Sequence, residues 1–432
     1  MADEAHPHRP AIQASQLEQL RELVIELFPA NRFYTHKLQA AGVTFDVGSL
    51  GDFSRRFPFT TKQELVADQL THLPFGTNLT YPLNRYTRFH QTSGTSGTPL
   101  RWLDTPESWE NMIESWTEIF RAAEVVAGDR VMFAFSFGPF IGFWLAFESA
   151  ARLGCLCLPG GGLSSAARVR MIRDNQSKVL CCTPTYAIRM AEVAAAERIE
   201  TGSLGVKTII VAGEPGGSIP ATRAKLESLW PGARIFDHHG MTEVGPVTFE
   251  CPKQPGTLHV IESAYYAEVV DSATGEPATN GELVLTTLGR IGSPLLRYRT
   301  GDLVKLGPRP STLDPRPCGC GRHNLTLEGG ILGRVDDMII VRGVNVYPSA
   351  VEEIIRRFGN VAEYCVHVSG SAAMVELRVE LEPADSCGDV NDLVAQVQRA
   401  LETAFNLRVP VAAVAPGALP RFEMKARRWV KS

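Results

Sequence analysis

From residue 131 to about residue 247 the chain alternates short apolar runs with stretches of helical periodicity: 179–182 then 186–196, and 208–211 then 221–230. A short apolar run that stops at turn residues suits a strand buried on both faces. A helix that returns the chain between two such strands makes them parallel. This alternation restricts the fold more than any other feature and predicts βαβ units around a largely parallel sheet, an α/β protein. The longest apolar run, 131–147, is long enough to be mistaken for a membrane span. Ser136, Gly138, Pro139 and Gly142 interrupt it, and Glu148 and Arg152 follow at once. It reads as a buried strand, a glycine turn and a core helix.

Before this region, residues 13–27 carry Leu17, Leu20, Leu23 and Leu27 on one helical face. Residues 58–65 read as a turn into a helix capped by Thr60 or Thr61. Residues 105–123 read as a helix with Pro106 early in it. Past Val247 the texture changes: 267–270, 281–287 and 303–306 read as strands of a β-rich part. From about 335 onward, strands at 338–341, 364–368 and 375–381 and helices at 348–358 and 390–405 predict a compact α+β unit.

With 432 residues, 44% hydrophobic and 21% charged, the chain suits a soluble protein of two or three domains. A net charge of −4 argues against a general nucleic-acid or anionic-membrane binder, so any anion must be held by a local site. The first ten residues include Asp3 and Glu4 and lack the pattern of a signal peptide. Nine cysteines, an odd number without such a signal, do not suggest a disulfide framework. We expect a reducing, cytoplasmic location.

The stretch from Gln91 to Pro99 holds Ser93, Gly94, Thr95, Ser96 and Gly97. Hydroxyls and turned backbone N–H groups make a flexible anion-holding loop, although such runs also occur as plain surface turns. No Gly-Lys-Ser/Thr follows at Walker spacing. Four further segments accompany it: Asp237-His238-His239-Gly240-Met241-Thr242-Glu243, Tyr298 to Leu303, Gly333 to Gly343, and Leu419 to Arg427.

In this order the five motifs resemble the adenylate-forming ANL superfamily. The segments Pro58 to Lys62, Cys181 to Tyr186 and Arg342 to Ser349 resemble its phenylacetate–CoA ligase family. The resemblance implies a large N-terminal domain, 1–335, of parallel sheets with helices and a β-rich part at about 248–332. A small mobile α+β C-terminal domain would span 336–432. It also implies the chemistry: a carboxylate attacks the α-phosphate of ATP to give acyl-AMP and pyrophosphate, and a thiol, usually coenzyme A, then displaces AMP. Two anions must meet, so cationic charge is needed between them, and the phosphates need Mg2+ and backbone donors.

By the same resemblance, Ser93 to Gly97 close on the β- and γ-phosphates. Thr242 contacts the α-phosphate, and Glu243 holds Mg2+ unless it is only a solvated helix-start carboxylate. Asp302 accepts from the ribose hydroxyls unless it merely caps a turn. Gly213, Glu214 and Pro215 line the adenine, and Asp237, His238, His239, Gly240 and Met241 complete the ATP site. Lys425 is the lysine of the adenylation transition state, Arg334 reaches the nucleotide and Asp336 is the hinge. Arg342 and Gly343 belong to the loop that enters for thioester formation and binds coenzyme A. Three positions depart from the family pattern: His239 stands for an adenine-stacking Tyr, Thr98 for a phosphate-contacting Lys, and Met424 for a Gly.

Cys318 and Cys320 form a thiolate knuckle, and Cys251 and His259 lie upstream. Three thiolates and an imidazole would close a structural Zn2+ shell, with His323 a rival for the fourth position; isolated thiols or a redox pair are the alternatives. Residues 135–144, rich in Phe and Gly, fall where the family builds its acid pocket. Phe140, then Phe135, are candidate walls for an aryl acid, with Gly240 beside them; simple core packing must hold for several of these rings. The expected function is an aryl-acid–CoA ligase whose partners are the acid, ATP and CoA. It has no nucleic-acid or membrane partner, and a homodimer is left open. An enzyme loading a carrier protein and an inactive nucleotide-binding relative are the rivals.

Overall fold

The computed structural model describes residues 6–92, 98–135, 137–308, 317–342, 344–370, 375–423 and 425–431. The chain divides into two compact units, Met1–Gly161 with Phe236–Gly330, and Gly162–Ile235 with Ile331–Ser432. The domain boundary expected at 335/336 lies close to one crossing point. Segment 162–235, expected in the large domain, clusters with the C-terminal residues.

In the first unit the helix Arg9–Leu27 starts earlier than its leucine pattern, because Pro10 suits a first turn where no amide donor is needed. It buries Leu20, Leu23, Val24 and Leu27 against Phe53, Phe57, Leu288 and Leu296. Thr61, not Thr60, caps the helix Lys62–Thr71, and Glu64 returns the bond in a capping box. Thr60 is buried, and its hydroxyl donates to the Leu296 carbonyl at 2.8 Å. The strands Arg88–Gln91 and Arg101–Asp104 pair antiparallel with Gln91 opposite Arg101. Thr105 caps the helix Pro106–Ala122. The long apolar run resolves into the strand Arg130–Phe133 and the helix Ile141–Arg152, which leads to the parallel strand Leu156–Pro159. Among the described residues no helix is long and apolar enough to cross a membrane.

The β-rich part of this unit holds the strands Thr248–Glu250, Thr257–Val260 and Thr326–Glu328 in one antiparallel sheet. Tyr265–Val270, Asn280–Thr287 and Tyr298–Lys305 pair in another. The last strand begins five residues before the expected 303, since Gly301 obscures an alternation that runs from Tyr298. Asp302 therefore sits within a strand and does not cap a turn.

In the second unit Val179–Cys182 and Thr208–Val211 are parallel partners, as the alternation predicts, with Pro184–Ala196 as the intervening helix. The C-terminal segment pairs Val361–Ser369 antiparallel with Glu376–Pro383, and the helices Pro348–Arg356 and Val390–Phe405 complete its core. A strand absent from the sequence reading, Trp429–Lys431, runs parallel beside Val361–Ser369 and fixes the chain end. Within this unit the Ala221 N–H donates to Glu353 at 2.8 Å, and Lys225 Nζ donates to the Val361 carbonyl at 2.8 Å.

Candidate active site

The two-residue strands Gly240–Met241 and Gly245–Pro246 pair antiparallel and carry Thr242 and Glu243 in the turn between them. A Cβ on Gly240 would lie 2.8 Å from the Gly245 carbonyl oxygen, so glycine is required there by the backbone crossing itself. Glu243 is 5% exposed in this hairpin turn and is not a helix-start carboxylate. Lys62 Nζ lies 3.1 Å from Glu243 Oε1. Arg290 holds the turn from behind: Nη1 donates to the carbonyls of Thr242 and Glu243, each at 2.9 Å. Its Nε and Nη2 grip the two oxygens of Asp104 at 2.6 and 2.7 Å. Asp104 ends the strand Arg101–Asp104. One buried ion pair thus ties the strand Arg101–Asp104 to the Thr242–Glu243 turn. Ser93, Gly94, Thr95, Ser96 and Gly97 themselves lie outside the described residues, as do Gly343 and Met424.

Asp237 ends the strand Arg234–Asp237 and is buried. His238 packs edge-on to Trp116, with ring centroids 4.5 Å apart, and burial pushes its imidazole down to about 3. It is a neutral, buried group packed on Trp116. His239 faces the other way, with Nε2 3.1 Å from Asp302 Oδ2. The ring edge meets the carboxylate expected to hold the ribose.

In the second unit, Gly213 has φ +93°, and a Cβ there would lie 3.4 Å from Lys425 Cε. Glycine at this position suits the passage of the lysine stem. The side chain of Glu214 is taken up by backbone donors: Oε1 accepts from the Thr185 N–H at 2.9 Å and Oε2 from the Ala426 N–H at 2.7 Å. Pro215 is exposed beside it. Arg334 and Asp336, the expected nucleotide-reaching and hinge residues, bond each other at 2.9 and 3.2 Å. Arg342 has φ +50° and pairs with Glu376 at 3.0 Å on an exposed face.

Cys251, His259, Cys318 and Cys320 converge, with one ligand atom from each lying within 4.8 Å of the others. Cys251 Sγ and Cys318 Sγ are 3.6 Å apart, and Cys320 Sγ is 3.3 Å from His259 Nε2. Zinc with Zn–S bonds of about 2.3 Å places sulfurs about 3.8 Å apart in a tetrahedron, so the donor set fits. Burial works to raise the Cys320 thiol, but the hydrogen bond to His259 and the Arg322 backbone bring it down to about 6. His259, not His323, completes the four. Its strand is paired with Thr248–Glu250, so a position eight residues from Cys251 in sequence is brought to its side.

Of the two candidate pocket walls, Phe135 is buried and stacked on Phe143, with centroids 4.0 Å apart. It belongs to an aromatic core. Phe140 is half-buried and meets Phe143 edge-on at 6.0 Å. The Gln91 N–H donates to the Pro139 carbonyl at 2.9 Å, which holds this segment at the start of the glycine-rich stretch. Sequence reading missed Arg290 and Asp104 altogether. It quoted Lys62 within Pro58 to Lys62 without giving it a role.

Residues 90–289 match the family described as AMP-binding enzyme, and residues 343–432 match the AMP-binding enzyme C-terminal domain. The chain is 30% identical to the phenylacetate–coenzyme A ligase of Pseudomonas putida, over 96% of this chain and 93% of that one. It is 31% identical to the enzyme of the same name from Thermus thermophilus, over 96% and 95%. Its fold superposes on 2-hydroxyisobutyryl-CoA ligase in the postadenylation state with a TM-score of 0.92 at 27% identity, covering 100% of this chain and 93% of that one. The thioesterification state of that ligase gives 0.73 at 28% identity, covering 99% and 91%. The parallel strands with helices, the β-rich part and the C-terminal α+β segment are those of an ANL enzyme. The chain belongs to the phenylacetate–coenzyme A ligase family of that superfamily and is an AMP-forming acid–CoA ligase.

Proposed function

We propose that the protein joins an aromatic carboxylic acid to coenzyme A through an acyl adenylate. The observation that carries this reading is the placement of Lys425, its stem against Gly213. An acid oxygen forms a bond to the α-phosphorus as the bond to pyrophosphate breaks. The coenzyme A sulfur then attacks the acyl carbonyl and AMP leaves. In the first step the Lys425 amine offsets repulsion between the two anions, and the Thr242 hydroxyl contacts the α-phosphate. Asp302, steadied by His239, accepts from the ribose hydroxyls. Glu243 is a buried oxygen donor that would hold Mg2+, which neutralises phosphate charge when bound. Lys62 supplies an amine on the same side. Cys251, His259, Cys318 and Cys320 would hold a structural Zn2+, since four protein ligands leave no open position for chemistry. With nine free cysteines the protein suits a reducing, cytoplasmic setting.

Phe140, half-buried and edge-on to Phe143, supports an aryl acid, in keeping with the phenylacetate relatives. A short hydroxylated aliphatic acid is the second reading, favoured by the likeness to 2-hydroxyisobutyryl-CoA ligase. A pyrophosphate-release screen over aromatic and aliphatic acids, with free coenzyme A or a holo carrier protein as acceptor, separates the readings. We expect release with aryl acids and thioester formation on free coenzyme A. Turnover with aliphatic acids only would overturn the acid class, transfer only to the carrier would overturn the acceptor, and release with no acid would overturn the function.

A further inference from the structure

We infer that Glu214 is a positioning residue for Lys425, rather than part of the adenine pocket; this rests on the adenylation role of Lys425 given above. Thr185 is the second residue of the helix Pro184–Ala196, so its N–H has no partner within the helix. Glu214 Oε1 accepts that N–H at 2.9 Å, where the helix N-terminus also favours negative charge. Oε2 accepts the N–H of Ala426, the residue after the lysine, at 2.7 Å. One carboxylate therefore bridges a rigid helix start and the backbone that carries the amine. Burial works to raise the Glu214 carboxyl, against the pull of Arg428 and the backbone donors.

Contacts on either side of the lysine act in the same direction. Ser165 Oγ lies 2.8 Å from Glu423 Oε1 and 2.9 Å from the Tyr186 hydroxyl. Arg428 Nη1 donates to Thr185 Oγ1 at 3.3 Å, and the rest of its guanidinium is held by Glu363 at 2.7 and 3.1 Å. Residues 423, 426 and 428 are thus each tied to the segment Gly162–Ile235, and the exposed Lys425 stem crosses Gly213 between these ties. A long flexible amine on an untethered loop would sample many positions. Tethering the chain at Ala426 through its backbone and at Glu423 and Arg428 through their side chains narrows that search, and such orientation is worth about two orders of magnitude in rate.

The two half-reactions separate this role from its rivals. In Glu214→Gln the amide nitrogen must face one of the two N–H donors, so one tether is lost while the shape is kept. We expect kcat of acid-dependent ATP–pyrophosphate exchange to fall about 10- to 100-fold, with KM for ATP within about twofold. Conversion of supplied acyl adenylate and coenzyme A to thioester stays within about twofold of wild type. Ser165→Ala, which removes the Glu423 tie, shows the same split at smaller size, and Glu214→Asp recovers part of the loss. A rise in KM for ATP with kcat kept would assign Glu214 to the adenine pocket and overturn the inference. Equal loss in both half-reactions, or no loss in either, would overturn it as well. A wild-type enzyme with no exchange on any acid would instead overturn the functional reading, and this inference with it.

Discussion

Breaking the Asp104–Arg290 pair separates stability from catalysis. Asp104 is 0% exposed and Arg290 2%, and they form two bonds at 2.6 and 2.7 Å. Removing one partner of such a pair strands the other charge in the interior, at a cost of about 3–5 kcal/mol. Arg290→Met leaves Asp104 with His90, its Nδ1 3.9 Å away, and also strips the donor from the Thr242 and Glu243 carbonyls. Asp104→Leu leaves the guanidinium without its carboxylate. Replacing both with apolar side chains removes both charges, so the double variant recovers most of the stability, to within about 1–2 kcal/mol of wild type. It does not recover the two hydrogen bonds behind the Thr242–Glu243 turn, and exchange activity stays at least about 10-fold low. Urea unfolding at neutral pH gives the first quantity and ATP–pyrophosphate exchange the second. Burial works to raise the Asp104 carboxyl, but Arg290 and His90 hold it below its ordinary value. The pair's contribution is therefore complete above about pH 4 and fades as pH falls through the lowered folded value, so the single-variant deficit shrinks in acid. Single variants losing under about 1 kcal/mol, or a double variant that regains activity along with stability, would refute the reasoning.

Lys425→Ala should lower acid-dependent exchange by at least about 100-fold yet form thioester from supplied acyl adenylate at near wild-type rate; normal exchange would remove the lysine from the mechanism. Protein purified without chelators should carry about one zinc per chain, lost in Cys320→Ser together with several degrees of thermal stability. Elemental analysis that finds no zinc in the wild-type protein would rule the metal site out.

Much of the fold could be read from local pattern. Val179–Cys182 and Thr208–Val211 have the expected bounds, because an apolar run flanked by turn residues is a local signal. The same holds for the helix Val390–Phe405, capped by Asp389, and for the division of the long apolar run at its glycines. Capping was half legible: Thr60 and Thr61 are chemically alike, and only the Glu64 return bond and the burial of Thr60 tell them apart. The five motifs are short words in an order that resembles the family, as its AMP-binding matches bear out. Their family carried the roles.

What no local pattern contained is which buried groups meet. Asp104 and Arg290 are 186 residues apart, and Glu214 and Ala426 are 212 apart. His238 and His239 are neighbours, yet one is sealed against Trp116 and the other faces Asp302, because successive residues of an extended backbone point to opposite sides. Chain chemistry specifies strands, helices and caps through interactions a few residues long. Long-range closure of the chain alone determines which charges are taken out of water together, as it does for Asp104 with Arg290, and which side chains converge, as Cys251, His259, Cys318 and Cys320 do.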